Sequence, residues 1–341
     1  MDEPPRAGAT LTTTAGNHEP DHGPDRDRDP GPDRGPDRDP GPDRGPDRDP
    51  GPDHGPDPAR SRDARPGPTV STARLAARAG LQLPYAEQGP RTGEAAGLPV
   101  VLLHAVGDSW RSFEPLMARL PQTLHVLAPS QRGHGTAGRP AQGYRPADLA
   151  ADLAAFLDEL GIERALLVGA SSAGFTLRRF AAAQPARVGG LVFLGSPGQL
   201  AGRPAAAAIR DWADGLTDPL DPQELRGLVD SLVSRPLPPR FAELMVRESL
   251  RVSAAVWRET VHGLLDEPPP GGLEHVTAPV LVVWGDQDRV LPRSDQERLA
   301  AAFPHATLLV HEGSGHVVHW DDPARTATDL AAFAATCATR P

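Results

Sequence analysis

Short continuous apolar runs, each ending in a turn of small and polar residues, recur along the chain from about Val70. They read "VVLL" (Val100–Leu103), "HVLAP", "ALLV" (Ala165–Val168), "GLVFL", "APVLVVW" and "LLVH". Runs of this length that do not alternate with polar residues predict strands buried on both faces. Segments with apolar residues at helical spacing fall between them. In "RPADLAADLAAFLDELG", Leu149, Leu153, Phe156, Leu157 and Leu160 share one face. "RSDQERLAAAF" opens with Ser294 and Glu297 at capping-box spacing. "DDPARTATDLAAFAATC" offers Asp322 as N-cap and Pro323 as the first helical residue. Strand, helix, strand, helix predicts a mostly parallel α/β sheet with right-handed crossovers. In such sheets sites form at the carboxyl ends of the strands, and every polar motif below follows a strand.

From about 198 to 272 the alternation stops. "AAAAIRDWADGL", "PQELRGLVDSLV" and "RFAELMVRESLRVSAAVWRETVHGLL" are helical in pattern. They predict a helical insertion over the rim, with Trp212, Met245 and Trp257 as candidates for an apolar lining.

Composition sets the first 68 residues apart. "GPDRGPDRDP" occurs twice from Gly31, and "GPDHGPD" follows from Gly51. Almost no apolar side chain is available there to offset the entropy of ordering, so 1–68 is expected to be a disordered Asp/Arg/Gly/Pro-rich tail. Without an apolar position in each copy the repeat cannot be a solenoid, and its glycine spacing is not that of collagen. Residues 69–341 are then the folded domain.

The formal net charge is −10, and about six of those charges belong to the first 65 residues. The folded part is only mildly acidic, which points to neither nucleic acid nor an anionic membrane as a partner. No apolar run reaches membrane-helix length, and the acidic start "MDEPPRAGAT" is not a secretory signal. The single cysteine, Cys337, excludes an internal disulfide. The expected compartment is the cytoplasm and the expected partner a small, apolar substrate. Lysine is absent, which reads as genomic composition bias.

The chemistry centres on "VGASSAG". A serine nucleophile needs a base, a group that orients the base, and N–H donors for the oxyanion. At a strand–nucleophile–helix elbow it also needs small residues two positions to either side. Ser171 has Gly169 and Ala173 there; Ser172 has Ala170 and Gly174. With the strand ending at Val168 and the turn at Gly169, register favours Ser171 at the apex. Ser172 then starts a helix whose Ala173, Leu177, Phe180 and Ala181 share a face, and its N–H is free for substrate. "VVWGDQDRVLP" offers Asp286 and Asp288, and "LLVHEGSGHVVHW" offers His316, in the chain order Ser, Asp, His. His311, His316 and His319 lack an Asp, Glu or Cys at a familiar ligand spacing, so no metal and no cofactor is expected. His134 reads as a loop-structuring residue and Cys337 as a core residue.

On "HAVGDSW", "SQRGHG", "GASSAG", "GDQDRVLP" and "GSGH", the chain over about 72–338 resembles the α/β-hydrolase superfamily. Within it, the branch of single-domain esterases, cofactor-free haloperoxidases and carbon–carbon bond hydrolases is the most similar. The resemblance implies the α/β-hydrolase fold, with 198–272 as a helical cap insertion. It implies Ser171 as nucleophile, His316 as general base and then acid, and Asp288, last residue of Gly-x-x-Asp, as the orienting acid. It implies an oxyanion hole from the backbone N–H groups of Val106 and Ser172, both side chains being of little account. Ala105, Ser130, Ala170 and Ala173 depart from the family's usual Gly, Asp, His and Gly. The implied activity is hydrolysis of an ester, lactone or related carbonyl through an acyl-enzyme. A peroxide-using perhydrolase on the same site, or a weakly catalytic ligand receptor, is the alternative.

Overall fold

Each apolar run is a strand, and the burial pattern explains why none alternates. The computed structural model describes residues 67–91 and 97–338; the expected 1–68 tail lies, but for its last two residues, outside them. The strands are β1 Thr69–Leu75, β2 Leu81–Gln88, β3 Val100–Leu103, β4 Val126–Pro129, β5 Ala165–Ala170, β6 Val188–Leu194, β7 Val280–Gly285 and β8 Ala306–His311. Every residue of β3 to β7 is buried. Side chains still alternate between faces. Leu167 and Phe193 enter one apolar layer, Val168 and Leu194 the other. A period of two with both faces covered leaves no polar position.

The sheet order is β1-β2-β4-β3-β5-β6-β7-β8. β2 is antiparallel to both neighbours, and all other pairings are parallel. The β1–β2 hairpin is the part that the apolar runs did not announce. Its strands carry polar residues, and it turns through Ala79 and Gly80, both at positive φ.

The helices are α1 Glu114–Met117, α2 Pro146–Glu159, α3 Ala173–Ala183, α4 Ala206–Gly215, α5 Pro222–Ser231, α6 Pro239–Leu250, α7 Ala254–Leu265, α8 Arg293–Ala301, α9 Val318–Asp321 and α10 Pro323–Ala338. On one face of the sheet, α2, α3 and α8 contribute Phe156, Phe180 and Leu299 to a single core. On the other, α1 and α10 contribute Met117, Leu330 and Cys337. Asp322 accepts from the Arg325 N–H at 2.9 Å, as expected of a cap before Pro323. The capping box expected at Ser294 does not form. α8 begins two residues earlier than a Ser294 cap would have it, with Pro292 at the N-cap, and Glu297 instead accepts from Arg293 Nε at 2.9 Å.

The four helices α4 to α7 lie between β6 and β7, inside the expected 198–272 insertion. They pack in two further clusters, one around Trp257 and Leu220 that takes in Tyr144, another around Met245 and Val229 that takes in Val317 and Trp320. No helix among the described residues is long and apolar enough to cross a membrane.

Candidate active site

β5 delivers Ser171 to the rim, and the backbone there is forced. Ser171 is one of two non-glycine residues with positive φ among the described residues, at 45°. Its N–H is held by Leu194 O at 2.8 Å. A left-handed serine between a strand and a helix is strained, and strain of this kind persists only where the surroundings over-determine it. Small neighbours permit it. A β-carbon on Gly169 would meet Leu177 Cδ1 at 2.9 Å, and one on Gly174 would meet Ser196 Cβ at 2.5 Å. α3 therefore packs close against β5 and β6 and projects Ser171 outward.

Ser171 Oγ lies 2.8 Å from His316 Nε2. His316 Nδ1 lies 2.9 Å from Asp288 Oδ2, and the Asp288 side chain has no solvent exposure. The other Asp288 oxygen accepts from the N–H groups of Val290 at 2.8 Å and Leu291 at 2.9 Å. With both oxygens committed, the carboxylate cannot swing away from the imidazole. Asp286, two residues earlier, is exposed and accepts from the Gly313 N–H at 2.7 Å. The structure thus brings together Ser171, His316 and Asp288, and leaves Asp286 as a turn residue.

The loop after β3 forms the opposite wall. His104 is fully buried. Its Nε2 accepts the Gln131 N–H at 2.9 Å, so its proton is on Nδ1, which donates to Ala105 O at 2.8 Å. Burial, with the neighbouring His134 adding to it, lowers its pKa to about 3, and the ring is neutral. Ala105 does not have positive φ, so alanine fits where the family has glycine. The strict need for glycine falls two residues later. Gly107 has a φ of 86°, and a β-carbon there would overlap the indole of Trp257.

The Val106 N–H does not point into empty space. It donates to Ser172 Oγ at 2.8 Å. The Ser172 side chain, expected from the resemblance to be of little account, is the acceptor of this bond. Sequence spacing reports which backbone amides approach one another, but not where a serine rotamer lands.

The insertion is tied to the rim at several points. Ser234 N–H donates to both oxygens of Asp321 at 3.1 and 3.2 Å, and Ser234 Oγ donates to Gly313 O at 2.7 Å, beside the His316 loop. Glu259 of α7 accepts from the N–H groups of Gly143 and Tyr144 at 2.7 and 3.1 Å. Of the three lining candidates, Trp257 reaches the loop after β3. Trp212 packs edge-on against Trp257, 5.5 Å between ring centroids, and Met245 is buried with Val317 next to His316.

Beneath this wall lies a buried polar chain that the sequence did not single out. Ser112 Oγ donates to Asp108 Oδ2 at 3.1 Å, sits 3.2 Å from His319 Nε2, and receives Trp320 Nε1 at 3.1 Å. Burial pushes the Asp108 carboxyl up to about 8, with Glu248 of α6 adding to the rise. The only advance signal was an acidic residue inside an otherwise apolar loop. His134, read as loop-structuring, has its Nδ1 2.8 Å from Arg132 O and its ring against His104. Arg132 in turn donates to Asp152 of α2 from Nε and Nη2, both at 2.5 Å, in a buried pair that pins the loop after β4.

These features, a positive-φ serine at a strand–helix turn of an eight-stranded sheet with histidine and aspartate at later strand ends, are those of the α/β-hydrolase class. The family model described as alpha/beta hydrolase fold matches residues 99–323, and the chain belongs to that family. It is an esterase-like member. A 2-hydroxymuconate semialdehyde hydrolase from a Pseudomonas species is 30% identical over 262 residues, covering 70% of this chain and 88% of the relative. A non-heme chloroperoxidase from Streptomyces lividans is 28% identical over 280 residues, covering 74% and 96%. Among solved structures, a thermophilic esterase from Thermogutta terrifontis superposes with a TM-score of 0.70 at 20% identity, over 80% of this chain and all of that one. At that identity the likeness is one of fold.

Proposed function

We propose that this chain is a serine hydrolase acting on an ester, lactone or related carbonyl compound through an acyl-enzyme. The observation that carries the reading is the unbroken series Ser171 Oγ, His316 Nε2, His316 Nδ1, Asp288 Oδ2, at 2.8 and 2.9 Å, starting from a serine held at positive φ. Ser171 Oγ attacks the carbonyl carbon while its proton passes to His316 Nε2, and the carbonyl π pair moves onto oxygen. The tetrahedral intermediate collapses and expels the alkoxide, which takes the proton from His316. Water repeats the sequence on the acyl-enzyme, releasing the acid and restoring Ser171. Asp288 orients the imidazole and stabilises its charged form. The α4–α7 insertion serves as a cap over the site; its Trp257 and Met245, both buried, hold it together and, through Trp257, against the loop after β3 rather than lining a substrate pocket.

Labelling with a fluorophosphonate probe and peptide mapping tests this. Attachment at Ser171, lost in Ser171→Ala together with hydrolysis of p-nitrophenyl butyrate, is the expected result. Labelling at any other serine, or hydrolysis that survives Ser171→Ala, would overturn it. The similarity to a non-heme chloroperoxidase supports a second reading on the same site, in which hydrogen peroxide attacks the acyl-enzyme and a peracid leaves. Peracid formation from an ester and added peroxide separates the two.

A further inference from the structure

The second serine of the pair holds an unusual position. Ser172 is the N-cap residue of α3, where a serine ordinarily accepts a backbone N–H of the first turn. Its side chain makes no such bond. Oγ reaches across the cleft instead and takes the Val106 N–H at 2.8 Å. One amide proton cannot serve two oxygens equally, so an oxyanion formed at Ser171 would find this donor already engaged. A hydroxyl, however, both accepts and donates. Among the described residues no acceptor takes the Ser172 hydroxyl proton, and Ser172 is only half-buried. With its lone pair turned toward Val106, that proton is directed away from the loop. A hydroxyl that accepts an N–H bond is also a better donor.

We propose that the oxyanion hole of this protein is built by Ser172 twice over, through its backbone N–H and its side-chain O–H, with the Val106 N–H standing behind the hydroxyl to aim it. Ser172 is then a catalytic residue by its side chain, and Val106 a positioning one. The inference rests on Ser171 being the nucleophile, as proposed above.

The test compares Ser172→Ala, Ser172→Thr and Ser171→Ala with the wild type on p-nitrophenyl butyrate. Active sites are counted by fluorophosphonate titration and folding is checked by melting temperature. Removing one oxyanion donor costs kcat about 10²- to 10³-fold where the hole has no substitute. The freed Val106 N–H offers a partial one, so Ser172→Ala is expected to lower kcat by roughly 10- to 100-fold. KM is expected to change less than about threefold, because the lost bond strengthens only in the transition state. Ser172→Thr, which keeps a hydroxyl, is expected to recover at least half of that loss on a logarithmic scale. A Ser172→Ala enzyme with kcat at or above the wild-type value would overturn the proposal: the hydroxyl would then be a removable occupant, with the Val106 N–H binding the oxyanion directly. A loss confined to KM would overturn it too. Should Ser172→Ala not fold, Ser172→Cys, a weak donor of similar size, is expected to show the same fall in kcat, and wild-type kcat there would count against it. Residual hydrolysis in Ser171→Ala would instead remove the underlying assignment of the nucleophile, which keeps the two failures apart.

Discussion

The indole of Trp257, on α7, lies in the space that a β-carbon on Gly107 would fill. One residue before Gly107 is Val106, whose N–H meets Ser172. The α4–α7 insertion is therefore packed directly against the loop whose N–H meets Ser172.

Gly107→Ala should damage both stability and catalysis. A methyl group there meets the indole, and the φ of 86° is one that alanine adopts only with strain. The expected cost is about 2–4 kcal/mol of stability. A fall in kcat should accompany it, since Val106 must shift with its neighbour. Ala105→Gly, at ordinary φ, should change kcat little. Urea melts and steady-state kinetics on both variants check this.

The two aspartates after β7 should behave differently. Asp288→Asn keeps the shape but lets the amide present an N–H to His316, favouring the wrong tautomer. The expected loss in kcat is about 10³- to 10⁴-fold. Asp286→Asn should leave kcat within about threefold, because Asp286 Oδ1 receives only the Gly313 N–H and the Gln287 side-chain amide, and does not reach His316. Equal losses in the two variants would contradict the assignment of Asp288.

Asp108 should tilt stability against pH. Its carboxyl is raised from 3.8 to about 8. Between those values the folded state keeps a proton that the unfolded state sheds, so this group's contribution falls as pH rises through the window. Four pK units at about 1.36 kcal/mol each set the ceiling, and a change of about 2–3 kcal/mol is expected. Asp108→Asn keeps a partner for Ser112 Oγ and should gain stability at pH 8 relative to pH 5. Denaturant midpoints of both proteins across pH 5–8.5 measure it.

Three buried histidines should make the fold acid-sensitive in the opposite sense. Desolvation lowers His104 and His319 to about 3 and His134 to about 4. Below about 6.5 the unfolded chain takes up protons that the folded one refuses, so stability is lost as pH falls toward 4. Three imidazoles outweigh the one Asp108 carboxyl, and the net slope on acidification should be negative. His319→Gln should make it shallower by about one proton's worth, read from denaturant midpoints between pH 7 and 4.5.

Breaking the Arg132–Asp152 pair should be costly on one side only. Arg132→Met leaves the Asp152 carboxylate buried, with Arg78 Nε at 2.7 Å as its remaining partner. About 3 kcal/mol of stability should be lost. Removing both charges with Asp152→Leu as well should recover part of it, which a double-mutant cycle would show.

Much of this molecule is readable along the chain because its parts obey local rules. The strands show as unbroken apolar runs, since both faces of β3 to β7 are covered. The elbow shows as a serine among small residues, since no larger residue fits between β5 and α3. Along the chain, Asp288 is distinguished from Asp286 by likeness to a family pattern rather than by spacing; the physical reason is tertiary, the 2.9 Å contact of Asp288 with His316 Nδ1, with its other oxygen held by the Val290 and Leu291 N–H groups while Asp286 turns to Gly313. The β1–β2 hairpin does not show as an apolar run because the edge strand β1 is largely exposed and β2, though inside the sheet, mixes Gln82, Pro84, Glu87 and Gln88 with its apolar positions. The capping box at Ser294 was misread because a Ser-x-x-Glu spacing reports possibility, while the helix start depends on how Pro292 enters.

The sequence by itself determined the α/β order, the place of the insertion and the residue types gathered at the strand ends, because these depend on periodicity and local sterics. Only the tertiary structure decided that the Ser172 hydroxyl reaches Val106, that Trp257 presses on Gly107, and that Asp108, Ser112 and His319 share one buried chain. Those contacts join residues 66, 150 and 207 positions apart in the chain, and no local rule specifies which distant side chain will fill a given space. Packing settles that, one rotamer at a time, once the sheet has brought the loops together.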